Sequence, residues 1–172
     1  MIMLPQGFRL AAAAADFRGK HQERRDLALA VIDVPAAAAG VFTTNLFQAA
    51  PVQVARAALD AVGDAAPSFS GPRAVLINSG QANACTGQDG LDDCRATLDM
   101  VGAAVDMPPS SILPASTGVI GMQLPMDRIA AGVEKLAAAK DGSEKEGLEA
   151  AKAIMTTDTK PKYVGAQIEI GG

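Results

Sequence analysis

Ala74-Val75-Leu76-Ile77-Asn78-Ser79-Gly80-Gln81-Ala82-Asn83-Ala84-Cys85-Thr86-Gly87 is the stretch whose reading decides the fold. Four apolar residues suited to a buried strand run directly into a polar, turn-forming segment. Leu91, Cys94, Leu98, Val101 and Val105 then recur every three or four residues, the apolar stripe of an amphipathic helix. Ser111 to Pro114 reads as a short strand feeding Ser116-Thr117-Gly118-Val119-Ile120-Gly121, a small-residue turn. Strand, helix and strand in succession point to an α/β arrangement. Periodicity alone leaves parallel and mixed sheets both open.

The same alternation continues on either side. Leu27 to Val34 is an apolar run between Asp26 and Pro35 and reads as a buried strand. Ala38 to Thr43 reads as a second strand closing at Thr43-Thr44-Asn45. Val54, Ala58, Ala61 and Val62 predict a helix over Gln53 to Val62, stopped by Gly63. Ala65 to Pro72 is loop-like in composition. Met126, Ile129, Val133 and Leu136 mark a further helix, with Pro125 and Asp127 suited to its first turn. Ser143-Glu144-Lys145-Glu146 has capping-box spacing and opens a helix to about Ile154. Tyr163 to Ile170 alternates, with Val164, Ala166, Ile168 and Ile170 on one face, and reads as a final strand. A strand with nothing to cover it is a liability, so the natural fold is expected to continue beyond Gly172.

With 172 residues, 49% of them hydrophobic, residues 1–172 are expected to form a single domain with a sizeable core. That core is rich in Ala and poor in aromatics, with one Tyr, five Phe and no Trp. A net charge of −4 leaves no electrostatic footprint for nucleic acid, and few rings are available to stack on bases. The basic cluster Arg18-Gly19-Lys20-His21-Gln22-Glu23-Arg24-Arg25 reads as a solvated loop. Two cysteines, Cys85 and Cys94, match neither zinc nor CxxC spacing, and no metal site is expected. No apolar run approaches membrane-spanning length, and no charged region precedes an apolar segment as in a signal peptide. A cytoplasmic protein is expected, with no nucleic-acid or membrane partner.

Four polar segments could gather into a site: Thr43-Thr44-Asn45, Asn78 to Gly87, Ser116 to Gly121, and Thr156-Thr157-Asp158-Thr159-Lys160-Pro161-Lys162. Strand ends in α/β folds are common ligand sites, although Ser, Thr, Asn and Gly also make ordinary caps and turns. The usual catalytic templates fail. His21 lies in a charged loop, and there is no HExxH, Walker A or GxSxG. Asp92-Asp93 reads as a solvated helix face, and Cys85 as a small buried thiol. The residues supply hydroxyls and backbone N–H groups that could hold an anion, with no nucleophile–base pair. They read as one half of an active site.

Taken together, several segments resemble the ornithine acetyltransferase (glutamate N-acetyltransferase) family of arginine biosynthesis. These are Gly40-Val41-Phe42-Thr43-Thr44-Asn45, Ala49-Ala50-Pro51-Val52, Asn78 to Gly87, Ser116 to Gly121, and Ala153-Ile154-Met155-Thr156-Thr157-Asp158-Thr159-Lys160-Pro161-Lys162. The resemblance as a whole runs in order from about Gly7 to the C-terminus. The resemblance implies an α/β fold with alternating strands and helices and mixed sheets packed with helices. This is the ornithine acetyltransferase/DmpA-like fold, completed by a second (β) chain from the same self-cleaved precursor.

In that family the β chain begins with a Thr whose hydroxyl, activated by its own amine, is the nucleophile. This sequence resembles the α chain and stops short of that residue and of a substrate-binding Lys. By resemblance Thr117 and Gly118 form the oxyanion hole and Thr156 contacts substrate, with Thr157 as its neighbour. Asn78, Asn83 and Thr86 belong to a family loop and are expected to support the site. The implied reaction moves acetyl from N-acetylornithine to glutamate through an acetyl-enzyme, in a cytoplasmic α2β2 heterotetramer. No cofactor is implied; acetyl-CoA serves some relatives as a substrate. Two rival readings are a self-processed N-terminal-nucleophile aminopeptidase or amidohydrolase, and a non-catalytic amino-acid-binding subunit.

Overall fold

The computed structural model describes residues 4–20, 23–63, 71–139 and 144–169. Within them lie strands β1 (Phe8–Ala13), β2 (Leu27–Ile32), β3 (Ala74–Gln81) and β4 (Ile112–Val119), and helices α1 (Ala50–Asp60), α2 (Gly87–Val105), α3 (Met126–Ala139) and α4 (Glu144–Ala153). The strands form one sheet in the order β1-β2-β3-β4. β1 and β2 pair antiparallel, as do β2 and β3, whereas β3 and β4 are parallel and joined through α2. The expected α/β class holds, and the sheet is mixed.

Helices cover both faces of this sheet. Ala11, Ala13, Leu27, Leu29, Val31, Leu76 and Ile112 point to one side, where Leu98 and Val101 of α2 and Ile129, Val133 and Leu136 of α3 complete the main core. Each large aliphatic side chain buried there contributes roughly 1.5–3 kcal/mol. The alternate residues Ala12 and Ala28 meet Ala150 and Ala153 of α4 on the other side, flanked by Leu10 and Ile77. Alanine on both surfaces leaves little side-chain bulk between α4 and the sheet.

Several sequence expectations are corrected. β1 was not expected as a strand, because three consecutive alanines carry little β preference and no visible alternation. Ala38 to Thr43 forms no strand and runs as irregular chain. Its end is held locally: Asn45 N–H donates to Thr43 Oγ1 at 3.1 Å, and Arg56 stacks 5.3 Å from the Phe42 ring centroid. Residues 163–169 are likewise irregular and mostly exposed, so the final strand is absent there; Ile170 lies outside the described residues. β3 and β4 each run further than predicted, through Gln81 and Val119, because the parallel ladder gives their polar ends backbone partners. Ser116 to Val119 is therefore strand, and the turn begins only at Ile120.

The helices fall close to expectation, with α1 starting at Ala50 and Pro51 in its first turn. Gly63 adopts φ +70° beyond its end, the left-handed conformation expected there. α4 begins by Glu144, while Ser143 of the predicted capping box and part of the Ala65–Pro72 loop lie outside the described residues.

Candidate active site

The far ends of β3 and β4 open a cavity at paired glycines. Gly80 lies opposite Gly118 in the parallel register, with φ +129° and +138° respectively. A Cβ on Gly118 would fall 2.3 Å from the carbonyl carbon and oxygen of Gly80 and 2.7 Å from the nitrogen of Gln81. The two backbones thus approach more closely than any side chain would allow. Beside them is a cavity of about 620 Å³, walled by Gly80, Gln81, Thr117, Gly118, Thr156 and Thr157. Phe17, Arg18, Lys20, Val119 and Met122 complete it.

Each wall is fixed by hydrogen bonds. On the strand side, Ser116 Oγ donates to Asn78 Oδ1 at 2.6 Å, and Asn78 Nδ2 donates to the Gln81 carbonyl at 2.8 Å. Thr156 follows the C-terminus of α4, and two contacts locate that terminus. Ser79 Oγ donates to the Ala153 carbonyl at 2.6 Å, and the Arg24 guanidinium donates to the carbonyl of Met155. Arg25 bridges to α4 as well, 3.1 Å from Glu146 and 3.4 Å from Glu149. A hydrogen bond from Lys152, helped by the Lys152 and Arg25 charges, holds the Glu149 carboxyl below the usual carboxylate range. Arg24 and Arg25, expected in a solvated loop, are instead half-buried clamps on α4 and on the segment after it that carries Thr156.

The third wall is the turn before β2. The buried carboxylate of Asp26 accepts N–H groups of Ala15 and Phe17 at 2.7 and 2.8 Å. The Asp26 carbonyl accepts Ser79 N–H at 2.8 Å, tying the turn to β3. A second pair of bonds closes the turn, Gly19 N–H to the Asp16 carbonyl at 2.9 Å and Lys20 N–H to Asp16 Oδ1 at 3.0 Å.

The structure brings Thr117, Gly118, Thr156 and Thr157 to one cavity with Gly80 and Gln81, so three of the four predicted segments meet there. Thr44 lines a different cavity, with Phe42 and Arg56. Asn83 and Thr86 are buried and spent internally: Thr86 Oγ1 donates to Asn83 Oδ1 at 2.7 Å, and Asn83 Nδ2 donates to the Gly90 carbonyl at 2.9 Å. They shape the β3–α2 connection, in which Asn83 is left-handed at φ +47°. Cys85, expected buried, is exposed, and the buried thiol is Cys94. Asp92 pairs with Arg95 at 3.3 Å on the solvent side of α2. Partial burial, with the Asp89 and Asp92 charges, raises the Asp93 carboxyl above its ordinary value. His21 lies outside the described residues.

Sequence reasoning missed Phe17, Arg18 and Lys20 as cavity residues, while Gln81 lies within the predicted Asn78–Gly87 segment. The left-handed Asp16, at φ +56°, bends that turn toward the site and leaves no pattern in sequence. Gln81 is buried, and its Oε1 has no hydrogen-bond partner among the described residues. Among the described residues that line the cavity there is no carboxylate, imidazole or thiol. Those residues can bind and polarise an anionic or acyl group, and they offer no carboxylate or imidazole to deprotonate a nucleophile. Among the described residues no three His, Cys, Asp or Glu side chains converge as metal ligands, and no helix is long and apolar enough to cross a membrane.

Fold and site together define an α/β chain whose parallel strand pair, drawn close at facing glycines, borders a cavity lined by hydroxyls, glycine backbone and cations. Residues 9–172 match the ArgJ family, and the chain belongs to it. It is 53% identical over 168 residues to the arginine biosynthesis bifunctional protein ArgJ of Nitratidesulfovibrio vulgaris, covering 98% of this chain and 40% of that protein. The ArgJ protein of Symbiobacterium thermophilum is 46% identical over 171 residues, covering 99% of this chain and 40% of its own length. Among solved structures, the ornithine acetyltransferase of Mycobacterium tuberculosis in complex with ornithine superposes with a TM-score of 0.80 at 42% identity. That match covers 90% of this chain and 78% of the other. This chain thus spans about 40% of the length of the curated relatives it matches.

Proposed function

We propose that this chain is the α chain of a self-cleaved acetyltransferase that moves acetyl from N-acetylornithine to glutamate in arginine biosynthesis. One observation carries the reading: in a member of the ArgJ family, Thr117, Gly118 and Thr156 converge on one cavity. The half-site character of that cavity supports a nucleophile supplied by a second chain.

In this reading the N-terminal Thr of the β chain, deprotonated by its own amine, attacks the acetyl carbonyl of N-acetylornithine. The carbonyl oxygen becomes an oxyanion, held by the Thr117 hydroxyl and the Gly118 N–H at the mouth of the β3–β4 pair. Collapse breaks the C–N bond, the nitrogen takes up the proton, ornithine leaves and acetyl remains on the Thr oxygen. The glutamate amine then attacks the ester carbonyl, passes through a second oxyanion in the same hole, and departs as N-acetylglutamate. Thr156 holds the substrate against the strand ends. The chemistry calls on hydroxyls and N–H donors without a cofactor, and acetyl-CoA could enter as an alternative acyl donor. The assembly is a cytoplasmic α2β2 heterotetramer.

Denaturing intact-mass analysis of the native preparation, with N-terminal sequencing of any second chain, tests this directly. A co-purifying chain beginning with Thr that gains one acetyl group from N-acetylornithine and loses it to glutamate is the expected result. Ligand binding without acetyl uptake would leave the chain a binding subunit, and amide hydrolysis without transfer would make it an amidohydrolase.

A further inference from the structure

The cavity is charged on one side. Thr117 and Thr156 are half-buried, whereas Arg18 and Lys20 are exposed at its rim. Among the described residues neither cation forms an ion pair, and none of those lining the cavity with them is a carboxylate. Their backbone is nonetheless fixed. Asp26 grips Ala15 and Phe17, Asp16 closes on Gly19 and Lys20, and Arg128 Nη1 donates to the Asp16 carbonyl at 2.8 Å. A Cβ on Gly19 would fall 2.7 Å from Arg128 Nη1, so the guanidinium packs directly over the turn. The turn thus holds two cations over the cavity, unpaired among the described residues, on a backbone fixed by these bonds.

Acetyl transfer makes an unusual demand on such a cavity. Donor and acceptor share an α-carboxylate, which lies two bonds from the reacting nitrogen and must bind close to the hydroxyls. They differ at the far end of the side chain, which is an ammonium in ornithine and a carboxylate in glutamate. A buried, fixed cation at that far end would exclude the donor, because like charges in a poorly solvated site repel strongly. An exposed cation on a flexible stem can swing into water for the ammonium and close on the carboxylate. Arg18 and Lys20 have that character, and they lie at the rim, where the far end of a substrate would emerge. We propose that Arg18 and Lys20 form the subsite for the side-chain carboxylate of the dicarboxylic acceptor, an assignment that rests on the acetyl-transfer reading above.

The double variant R18Q/K20Q in the assembled two-chain protein tests this. Both side chains are exposed, so the fold survives their loss. Acetyl-enzyme formation from N-acetylornithine is expected to stay within about twofold of wild type, while KM for glutamate rises about tenfold, the scale of one charge-assisted hydrogen bond. Glutamine, the neutral analogue, should be used equally by both proteins, and R18K alone should keep most of the preference for glutamate. An unchanged KM for glutamate overturns the assignment. So does an equal loss in both half-reactions, which would place the α-carboxylate here, or a loss confined to acetyl-CoA as donor, which would place its phosphates here. Wild-type protein that takes up no acetyl group sinks the transfer reading itself, and this assignment with it.

Discussion

Ser79 and Ala153 are joined by one buried hydrogen bond, in which the hydroxyl of a β3 residue donates across 2.6 Å to the carbonyl that ends α4. Ser79 is also the register partner of Thr117, and Ala153 lies three residues before Thr156. This bond therefore links the strand pair bearing the proposed oxyanion donors to the segment bearing the proposed substrate contact. S79A should leave the Ala153 carbonyl without that donor in a buried setting, at a cost of about 1–3 kcal/mol. Thermal melting should show the loss. Because the α4 terminus loosens while β4 is untouched, KM for N-acetylornithine should rise more than kcat falls. A variant with a normal melt and normal KM would show that the bond holds nothing in place.

Thr117 and Gly118 are neighbours with opposite sensitivities. The Thr117 side chain is half-buried and faces the cavity, so T117A should melt as wild type and lose turnover by about 10²–10³, the usual cost of one oxyanion donor. Gly118 has no room for a methyl group, which would sit 2.3 Å from the Gly80 backbone at a φ of +138°. G118A should therefore lose more than about 3 kcal/mol of stability, with activity falling because the strand pair is forced apart. Unchanged turnover in T117A would sink the oxyanion role, and a wild-type melt in G118A would sink the steric one.

That contrast also marks how far the sequence could be read. The helices over residues 87–105 and 126–139 and the strands at Leu27 and Ala74 announce themselves, because a periodic apolar face must be buried somewhere. β1 and the polar ends of β3 and β4 do not. Alanine can serve either element, and Asn78-Ser79-Gly80-Gln81 becomes strand only because Ser116 to Val119 lies alongside it. Of the site, Thr117, Gly118 and Thr156 were legible through resemblance to a family, not through local pattern. Arg18, Lys20 and the Arg24–Met155 clamp were not legible at all. Their roles come from contacts between residues 131 positions apart in one case, and from a left-handed bend at Asp16 in the other.

Thr156 tests the substrate wall by itself. It follows α4 in a short bend, half-buried, and its side chain supports no helix or strand. T156A should therefore leave the melt unchanged and raise the apparent KM for N-acetylornithine by about tenfold, the loss of one good hydrogen bond to a charged group. Single-turnover acetylation at saturating donor should recover most of its rate. A normal KM would remove Thr156 from the substrate wall and leave it as part of the bend that follows α4.

The two cysteines should report the fold chemically. Cys85 is exposed in the β3–α2 connection, at φ +58°, while Cys94 is buried on α2. Burial pushes the Cys94 thiol from the ordinary value of 9.0 up to about 11, with the Asp93 charge adding to the rise and Arg95 opposing it. The thiolate is the nucleophile, so folded protein at about pH 8 should take up one equivalent of iodoacetamide, at Cys85, and a second only in denaturant. The same shift fixes a sign for stability. A thiol whose folded value lies above its unfolded one favours the folded state in full below pH 9, and that contribution fades as pH climbs toward 11. Melting temperature should accordingly fall across this window in wild type and fall less in C94A, whatever C94A costs at neutral pH through its lost packing. Labelling of Cys94 in the native state at pH 8, as fast as Cys85, would mean that α2 does not seal this side of the core.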